Sequence, residues 1–542
     1  MADFEGIPFV STINTTKDGY DPGSRYTTTT LTGLVVAGVL LLSSHFLFRS
    51  YQTDKSNYKI PKGPKGLPII GSFLFLSHYP ELTLDKWAKR FGSLYSVWLG
   101  KQLVIVISSP DVAKDLMVSN GAICSSRKDM YIKSQTIFAG RGITATPYND
   151  TWRRHRRIAN AWLHQKAVDK FTSVFDREAT DMVNCLLEAS QSGAALVNPQ
   201  SFAGRCSLNN MLSIVFGVRT ASVQDPLVST ALRLGREFMN CTGPVSNLID
   251  FLPLLEYFPS EVRSRGQKLH HDLVETYGGM IERINQCMSL GKEVPDCLAS
   301  TLLRIREEEE LDDLDMAMIT SAFMIGGVET TASIMQWFQA LIPSYPEIQQ
   351  RAQEELDSVV GRDRLPDIKD EQHLLYCRAV IKEVERCYNP FWLGTPHATS
   401  EDLVYKGQLI PKDTVLVLNT WTIHHDEVRF PEPDKFNPSR YLNDTLTSAQ
   451  SSNLADANQH DHWMFGAGRR ICPAICVAER EIWLAISRML WSFHMETAPG
   501  HAVDLKQYDG LSGRSPVPFK IRLRPRDGNV AKILKGALEK VA

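Results

Sequence analysis

The chain has 542 residues, of which 43% are hydrophobic and 22% charged, so it is long enough to bury a large core. Its 59 basic and 61 acidic residues leave a formal net charge of −2, which gives no electrostatic case for binding nucleic acid. The ten cysteines are scattered and form no dense framework, a pattern that indicates reduced thiols and a body facing the cytosol.

An uncharged, mostly apolar run lies near the N-terminus, from Leu31 to Phe48. About 20 such residues span a bilayer as a helix, so we predict one transmembrane helix over residues 27–48. Acidic residues precede the run and basic residues follow it, which places the tail 1–26 in a lumen and the body in the cytosol. The tail carries a glycosylation sequon at Asn14. A cleaved signal peptide is the alternative, although the long acidic leader argues against it.

A segment rich in proline and glycine follows the apolar run. Its three prolines between Pro61 and Pro68 exclude a helix and favour a stiff, extended chain. We therefore predict a linker over residues 49–72, between the membrane anchor and the body.

Helical periodicity dominates residues 82–357, and strand-like segments are few and short. This pattern predicts a mainly α domain with small β-sheets over residues 73–525, followed by a C-terminal tail over 526–542. The segments that we assign individually are two helices, Asp176–Gln191 and Ser264–Asn285, and four strands, Leu94–Trp98, Leu103–Ile107, Val415–Leu418 and Phe519–Leu523.

One predicted helix, from Asp312 to Ile342, is much longer than the others and would measure ~45 Å. Its middle is apolar on every side, which indicates a helix buried across the domain. A second membrane span is the competing interpretation, but Glu329, Gln336 and Gln339 make it costly in lipid.

The strongest chemical signal is a glycine-containing loop that ends in a cysteine before a predicted helix, 474–490. Pro473 suits the first position of that helix, so Cys472 lies at a helix N-terminus, where free N–H groups favour a thiolate. A thiolate is an axial ligand of haem iron, and Arg470 is placed to pair with a haem propionate. The alternatives are a structural cysteine, or a metal clip of Cys476 with His460 and His462 that lacks a standard spacing. The loop reads Phe465-Gly466-Ala467-Gly468-Arg469-Arg470-Ile471-Cys472-Pro473-Ala474.

This loop resembles the haem-binding loop of the cytochrome P450 family. The family pattern is matched at each of its fixed positions, which are Phe465, Gly468, Arg470, Cys472 and Ala474. The resemblance implies the cytochrome P450 fold and haem b, with Cys472 as the iron ligand and Arg470, Phe465 and Gly468 as further cofactor-binding residues.

A second motif, Gly326 to Thr331, lies on the long predicted helix and is similar to the family's oxygen-activation segment. Each glycine inside a helix costs about 1 kcal/mol relative to alanine, which calls for a reason such as room for dioxygen. An acid followed by a hydroxyl can supply protons, so Glu329 and Thr330 are the predicted catalytic residues. The alternative is a buried glutamate with a purely structural role.

Further matches follow the family's chain order. By resemblance, Trp152, Arg156 and His397 bind the haem propionates. The resemblance also implies a structural cluster of Glu383, Arg386 and Arg440.

Taken with its anchor, the resemblance implies a monooxygenase of the endoplasmic reticulum membrane, single-pass, with a cytosolic catalytic domain. No nucleotide-binding glycine loop follows a predicted strand, so the predicted electron donor is a separate NADPH–cytochrome P450 reductase, with cytochrome b5 as a candidate second donor. Two alternatives are a reductase-independent haem-thiolate isomerase or dehydratase and a non-catalytic haem-binding sensor.

The predicted pocket walls are mostly apolar and indicate a small apolar substrate with few polar groups. They include residues 130–143 and 238–255, Phe323, Trp392 and the turn near Ser512. The segment Gly394 to Asp402 looks most like filamentous-fungal members of secondary metabolism, which suggests an aromatic or polyketide intermediate as the substrate.

Overall fold

In the computed structural model, residues 58–541 are described, with gaps at 244, 246, 499, 501 and 502. The predicted lumenal tail, the membrane anchor and the first part of the linker lie outside the described residues. The body is mainly helical. Its longer helices are α1 (Pro80–Phe91), α2 (Asp150–Leu163), α3 (Thr172–Ser190), α4 (Gln200–Phe216), α5 (Pro226–Cys241), α6 (Glu261–Leu273), α7 (Gly279–Ser289), α8 (Leu298–Ile305), α9 (Asp313–Leu341), α10 (Pro346–Val359), α11 (Leu375–Cys387), α12 (Ile475–Ser492) and α13 (Val530–Val541).

Shorter helical turns connect these helices. The α-helical ones are Pro110–Ala113, Gly121–Cys124, Gln165–Asp169, Thr420–His424 and Ser448–Ser451. The π-helical ones are Lys114–Ser119, Tyr131–Ile137 and Val274–Gly278. The 3-10 turns are Phe73–Phe75, Gln191–Gly193, Leu248–Asp250, Pro253–Tyr257, Ile342–Ser344, Glu371–His373, Pro438–Tyr441, Ala457–Gln459 and Gly468–Arg470.

The strands form small sheets, as predicted. The strands are β1 (Leu94–Leu99), β2 (Gln102–Ile107), β3 (Leu196–Val197), β4 (His397–Ala398), β5 (Leu403–Tyr405), β6 (Gln408–Ile410), β7 (Val415–Leu418), β8 (Phe493–Thr497), β9 (Tyr508–Asp509), β10 (Ser515–Pro516) and β11 (Ile521–Pro525). The largest sheet has the order β1-β2-β7-β4, in which β2 pairs antiparallel with β1 and parallel with β7, with Val104 opposite Val415. The other sheets have the orders β3-β11-β8, β5-β6 and β9-β10.

Helix α9 is the centre of the core, and it packs against α4, α5 and α12. A capping box starts it, since the Asp312 side chain accepts from the Asp315 N–H at 2.7 Å and the Asp315 carboxylate accepts from the Asp312 N–H. The segment Asp313–Ser344 is long and apolar enough to cross a membrane, but 83% of its most apolar window is buried within the protein. We therefore assign α9 to the core of the body, as the sequence predicted.

The end of the predicted linker packs on the first sheet. The hydroxyl of Ser96 donates to the Pro61 carbonyl at 2.7 Å, and the Ser96 N–H donates to the Lys62 carbonyl at 3.2 Å. A Cβ atom at Gly63 would lie 1.7 Å from the Ser96 carbonyl oxygen, so only glycine allows this approach. The chain is thus held against β1 before the body begins.

The C-terminal residues differ from the prediction. Where the sequence analysis expects a tail over 526–542, the structure has helix α13, which packs against α3. Val530 and Leu534 are fully buried in this contact. The end of the chain therefore belongs to the core of the body.

Candidate active site

A cavity of about 280 Å³ lies between α9, the start of α12 and the segment that leads into β4. Its wall is largely apolar and includes Phe323, Ile334, Leu393, Met464 and Val477. Phe323 lines it as predicted, whereas Trp392 is buried behind it against Trp421 and His424. Cys472, Arg470, Phe465, Arg156, His397 and Thr330 all reach this one cavity, so most of the predicted site residues come together.

The loop before α12 presents Cys472 to the cavity. Gly468 has a φ of +66°, and a Cβ atom there would lie 1.9 Å from the Met117 carbonyl oxygen, so a side chain is excluded. The Cys472 N–H donates to the Phe465 carbonyl at 2.9 Å, which closes the loop. Helix α12 begins at Ile475, so Pro473 precedes it and does not occupy the predicted first helical position.

The ionisation of Cys472 is governed by two opposing effects. Burial raises the pKa of its thiol, while the Ala474 N–H and the Arg156 guanidinium act in the opposite direction. Burial is the largest of these effects, so the pKa of the Cys472 thiol lies above its usual range.

Three arginines in the cavity wall donate their hydrogen bonds to backbone carbonyls. Arg470 donates to the carbonyls of Ser125 at 2.9 Å and Thr146 at 2.8 Å, and Arg156 donates to the Ile471 carbonyl. Arg127 donates to the carbonyls of Thr395 and Pro396. Among the described residues, no carboxylate forms an ion pair with any of the three.

Burial makes the positive charges of Arg470 and Arg127 unfavourable. Burial, with Arg156 nearby, lowers the pKa of Arg470 to about 9, and burial together with Arg470 and Arg156 lowers the pKa of Arg127 far below its usual range. Arginine stays charged in proteins, so these shifts indicate cations that lack an anion. A flat ligand with two carboxylates, such as haem, would supply the missing negative charge, and the residues present fit it.

Trp152 and His397 contact this arginine group in different ways. The indole N–H of Trp152 donates to the Ile143 carbonyl at 3.0 Å, and its ring lies 4.0 Å from the Arg470 guanidinium carbon. The indole thus already has a backbone partner, and its predicted propionate contact stays a prediction. His397 bonds through Nδ1 to the Cys124 carbonyl at 2.8 Å, and burial followed by Arg127 keeps its pKa well below the usual range.

On α9, Thr330 faces the cavity and its hydroxyl donates to the Gly326 carbonyl at 2.6 Å. Glu329 does not line the cavity. Its Oε1 lies 2.6 Å from Nη2 of Arg236 on α5, and burial raises the pKa of its carboxyl despite this arginine. The two predicted catalytic residues therefore have different surroundings.

The two glycines of this motif also differ. A Cβ atom at Gly327 would lie 2.5 Å from Sδ of Met211 on α4, whereas one at Gly326 would meet nothing within 4 Å. Gly327 thus serves the close contact of two helices, and Gly326 leaves open space in the cavity wall.

The Glu383 cluster has the arrangement that the resemblance implied. Both carboxylate oxygens of Glu383 accept from Arg386 at 2.8 Å, and one also accepts from Nε of Arg440 at 3.2 Å. Arg386 further donates to the His424 carbonyl at 2.7 Å, and Glu383 and Arg386 are fully buried. Every charge in this cluster has a partner.

The metal clip of Cys476, His460 and His462 finds no support. His460 bonds to the Leu454 carbonyl, and His462 to Glu385 and Ser448. Within the part of the chain that the structure describes, no three metal-ligating side chains come together.

Arg127 and Arg236 are the site residues that the sequence analysis missed. Arg127 follows two serines, and Arg236 lies on an ordinary amphipathic helix. Neither belongs to a motif, and no signal in a single sequence distinguishes them from surface arginines.

Comparison with known proteins gives a consistent result. A protein-family model described as Cytochrome P450 matches residues 61–523. The chain is 32% identical over 520 residues to the cytochrome P450 monooxygenase virE of Hypocrea virens, covering 93% of this chain and 92% of the relative. It is 32% identical over 526 residues to polD of Polytolypa hystricis, covering 94% and 96% respectively. With fogE of Aspergillus ruber, the identity is 31% over 489 residues, or 87% and 88%.

Proposed function

The chain belongs to the cytochrome P450 family and is a monooxygenase, and we propose that it inserts one oxygen atom from O2 into a small apolar organic substrate. The observation that carries the proposal is a single cavity lined by Cys472 and three buried or half-buried arginines, none of which forms an ion pair with a carboxylate among the described residues. The family implies a haem-thiolate cofactor, and that arrangement suits both its iron and its two carboxylates.

We assign the cofactor contacts from this geometry. Cys472 would hold the iron, and Arg127, Arg156, Arg470 and His397 would bind the propionates, with Trp152 supporting Arg470. When bound, the haem supplies the activation of dioxygen. Phe465 and Gly468 shape the loop, since one closes it by a hydrogen bond and the other allows its close contact with Met117.

The side chains of α9 would manage protons. Arg236 joins Glu329 to Asp509, whose Oδ2 lies 3.5 Å from Nη1 of the arginine. The Asp509 side chain is 44% exposed, so the ion pairs connect solvent with the helix that carries Thr330. Thr330 would donate protons into the cavity. Glu329 would reach the cavity by breaking its ion pair with Arg236 and adopting a different side-chain rotamer.

We propose NADPH–cytochrome P450 reductase as the electron donor, with cytochrome b5 as a second one. The proposed location is the endoplasmic reticulum membrane, with residues 27–48 as a single anchor and the domain 73–525 in the cytosol. Two segments with exposed apolar side chains support membrane contact: Leu74 and Phe75 in one, and Leu254, Tyr257 and Phe258 in the other. The rings of Phe73 and Phe251, which lie 5.4 Å apart, hold the two segments together.

The substrate would be an aromatic or polyketide intermediate of fungal secondary metabolism. The apolar cavity wall supports a small organic molecule, and the relatives compared above come from filamentous fungi.

The carbon monoxide spectrum of the reduced protein tests the haem assignment. Cys472→Ala should abolish the thiolate-type Soret band and most haem retention. Cys476, one turn later on α12, is a matched control, and Cys476→Ala should keep both. A thiolate-type band in Cys472→Ala would refute the assignment.

A further inference from the structure

A small chamber adjoins the large cavity beside residues 127–134. It has a volume of about 30 Å³, and it shares Arg127, Gly394 and Thr395 with the wall of the large cavity. A buried water needs roughly 10–15 Å³ of such space, so the chamber accommodates one small polar group. The chamber therefore adds space beside the large cavity for one end of a ligand.

Lys133 places a primary amine in this chamber. It lies on the π-helical turn Tyr131–Ile137, and its Nζ donates to the Thr395 hydroxyl at 3.1 Å. The same nitrogen lies 5.4 Å from the centre of the Phe238 ring. Because Thr395 lines both spaces, the amine is one side chain away from the large cavity.

Among the described residues, no carboxylate forms an ion pair with this amine, and the nearby Asp250 only partly offsets the effect of burial on the pKa of Lys133. Asp250 is the one carboxylate among the described lining residues, and it accepts the Ile132 N–H at 2.9 Å and forms no ion pair with Lys133. Burial raises the pKa of the Asp250 carboxyl to about 6, so its negative charge is itself disfavoured. Burial and the neighbouring Arg127 lower the pKa of Lys133 to about 7, the direction expected for a cation that lacks an anion.

The two other cationic side chains that line the chamber, Arg127 and Lys128, already have hydrogen-bond acceptors. Arg127 donates to the Thr395 and Pro396 carbonyls, and it also faces the proposed propionate site. The Lys128 amine donates to the Gln102 side chain at 2.5 Å. Within the described part of the chain, the hydrogen-bond partner of Lys133 is the Thr395 hydroxyl, which can still donate its own proton.

We propose that Lys133 and Thr395 bind a carboxylate of the substrate, and that the enzyme acts on an organic acid whose apolar body extends into the large cavity. Lys133 supplies charge and one hydrogen bond, and the Thr395 hydroxyl supplies a second bond. Oxidation then occurs at a fixed distance from the acid group. The inference rests on the proposed function, because it takes the large cavity as the place of reaction.

Imidazole-tethered acids test this subsite without knowledge of the substrate. The probes are ω-(imidazol-1-yl)alkanoic acids of increasing chain length and their methyl esters, titrated into the purified haem-loaded enzyme. The imidazole binds iron and shifts the Soret band, and the chain carries the acid toward the chamber. At the matching length, the acid should bind roughly 10- to 100-fold more tightly than its ester.

Variants separate the charge from the fold. Lys133→Met should abolish the preference for the acid, and Lys133→Arg should retain part of it. Lys128→Met is the matched control, since that amine bonds to Gln102, and it should keep the preference.

The possible failures are distinguishable. If neither imidazole nor carbon monoxide changes the spectrum, the proposed haem function is refuted, and the subsite with it. If imidazole binds but acids and esters bind equally at every length, the subsite alone is refuted. A preference that survives Lys133→Met would also overturn the assignment.

Discussion

Two groups of buried or half-buried arginines in this protein differ in the partners that balance their charge. In the Glu383 cluster, Arg386 and Arg440 share a carboxylate, and each also donates to a backbone carbonyl. In the cavity wall, the hydrogen-bond partners of Arg127, Arg156 and Arg470 among the described residues are backbone carbonyls. The first group is complete within the chain and stabilises the scaffold. The second is left unbalanced, which marks it as a binding site for an anion.

The largest expected effect is on the complete group. Glu383→Gln leaves two arginines without their shared carboxylate, and breaking a buried ion pair costs about 3–5 kcal/mol. We expect a loss of this size in the free energy of unfolding, measured in urea. Glu354→Gln, at an exposed position on α10, should change it by less than about 0.5 kcal/mol. Similar losses in the two variants would contradict the comparison.

Substitutions among the arginines of the cavity wall should lower haem affinity more than they lower the stability of the apoprotein to denaturant. Arg470→Met removes a cation from a site already rich in cations, so the apoprotein should lose less stability than Glu383→Gln does. Haem affinity should fall roughly 10- to 100-fold, as expected for lost charge-assisted hydrogen bonds. The rate of haem transfer to apomyoglobin measures it. Arg469→Met is the control, because that side chain is exposed and donates to the Tyr148 hydroxyl; equal transfer rates in the two variants would count against the site.

Glu329 and Arg236 form an intermediate case, since this pair is complete but adjoins the cavity. Acid–base groups typically contribute ~10²–10⁴-fold, and a water in the space left by Thr330→Ala would recover part of that. We expect about a tenfold fall in product formed per NADPH consumed, for Thr330→Ala and Glu329→Gln alike. Thr320→Ala removes a hydroxyl with the same kind of carbonyl bond from the same helix, but Thr320 does not line the cavity, so this variant should leave the ratio intact. An unchanged ratio in both test variants would remove them from proton delivery.

The smallest expected effect is a change in the free energy of unfolding that has opposite signs for substitutions at Gly326 and Gly327. Gly326→Ala has open space and should stabilise the apoprotein by about 0.5–1 kcal/mol through helix propensity. Gly327→Ala forces Met211 aside and should destabilise it by about 1–3 kcal/mol. Urea unfolding measures both, and changes of the same sign would contradict the distinction between an open and a packed position.

The sequence predicted those parts of the molecule that depend on residues close to one another along the chain. Helix α9 follows from its length and its apolar composition, and the Cys472 loop from five fixed positions within ten residues. Strand β7 was predicted to its ends because turn residues bound its apolar run. The scaffold and the chemistry-bearing loop were therefore accessible in advance.

Contacts between distant segments were not accessible. Arg127 lies in the site because the fold brings the carbonyls of Thr395 and Pro396, which are distant in sequence, next to it. In the same way, Glu329 forms an ion pair with Arg236 on another helix. The C-terminal helix was missed for a different reason. Val530, Ile533, Leu534 and Ala537 have helical spacing that was present in the sequence, but the segment was assigned to the tail.

The bonds of Arg470 also bear on how the protein matures. Its partners Ser125 and Thr146 are separated from it by 345 and 324 residues, and Arg156 is 315 residues from its partner Ile471. Contacts of such long range form late, because loop closure must precede them. During synthesis, the first arginines of the cavity leave the ribosome hundreds of residues before the cysteine does. Cofactor capture in this site must therefore wait until Cys472 has been made, and a chain that stops before Cys472 lacks the proposed iron ligand.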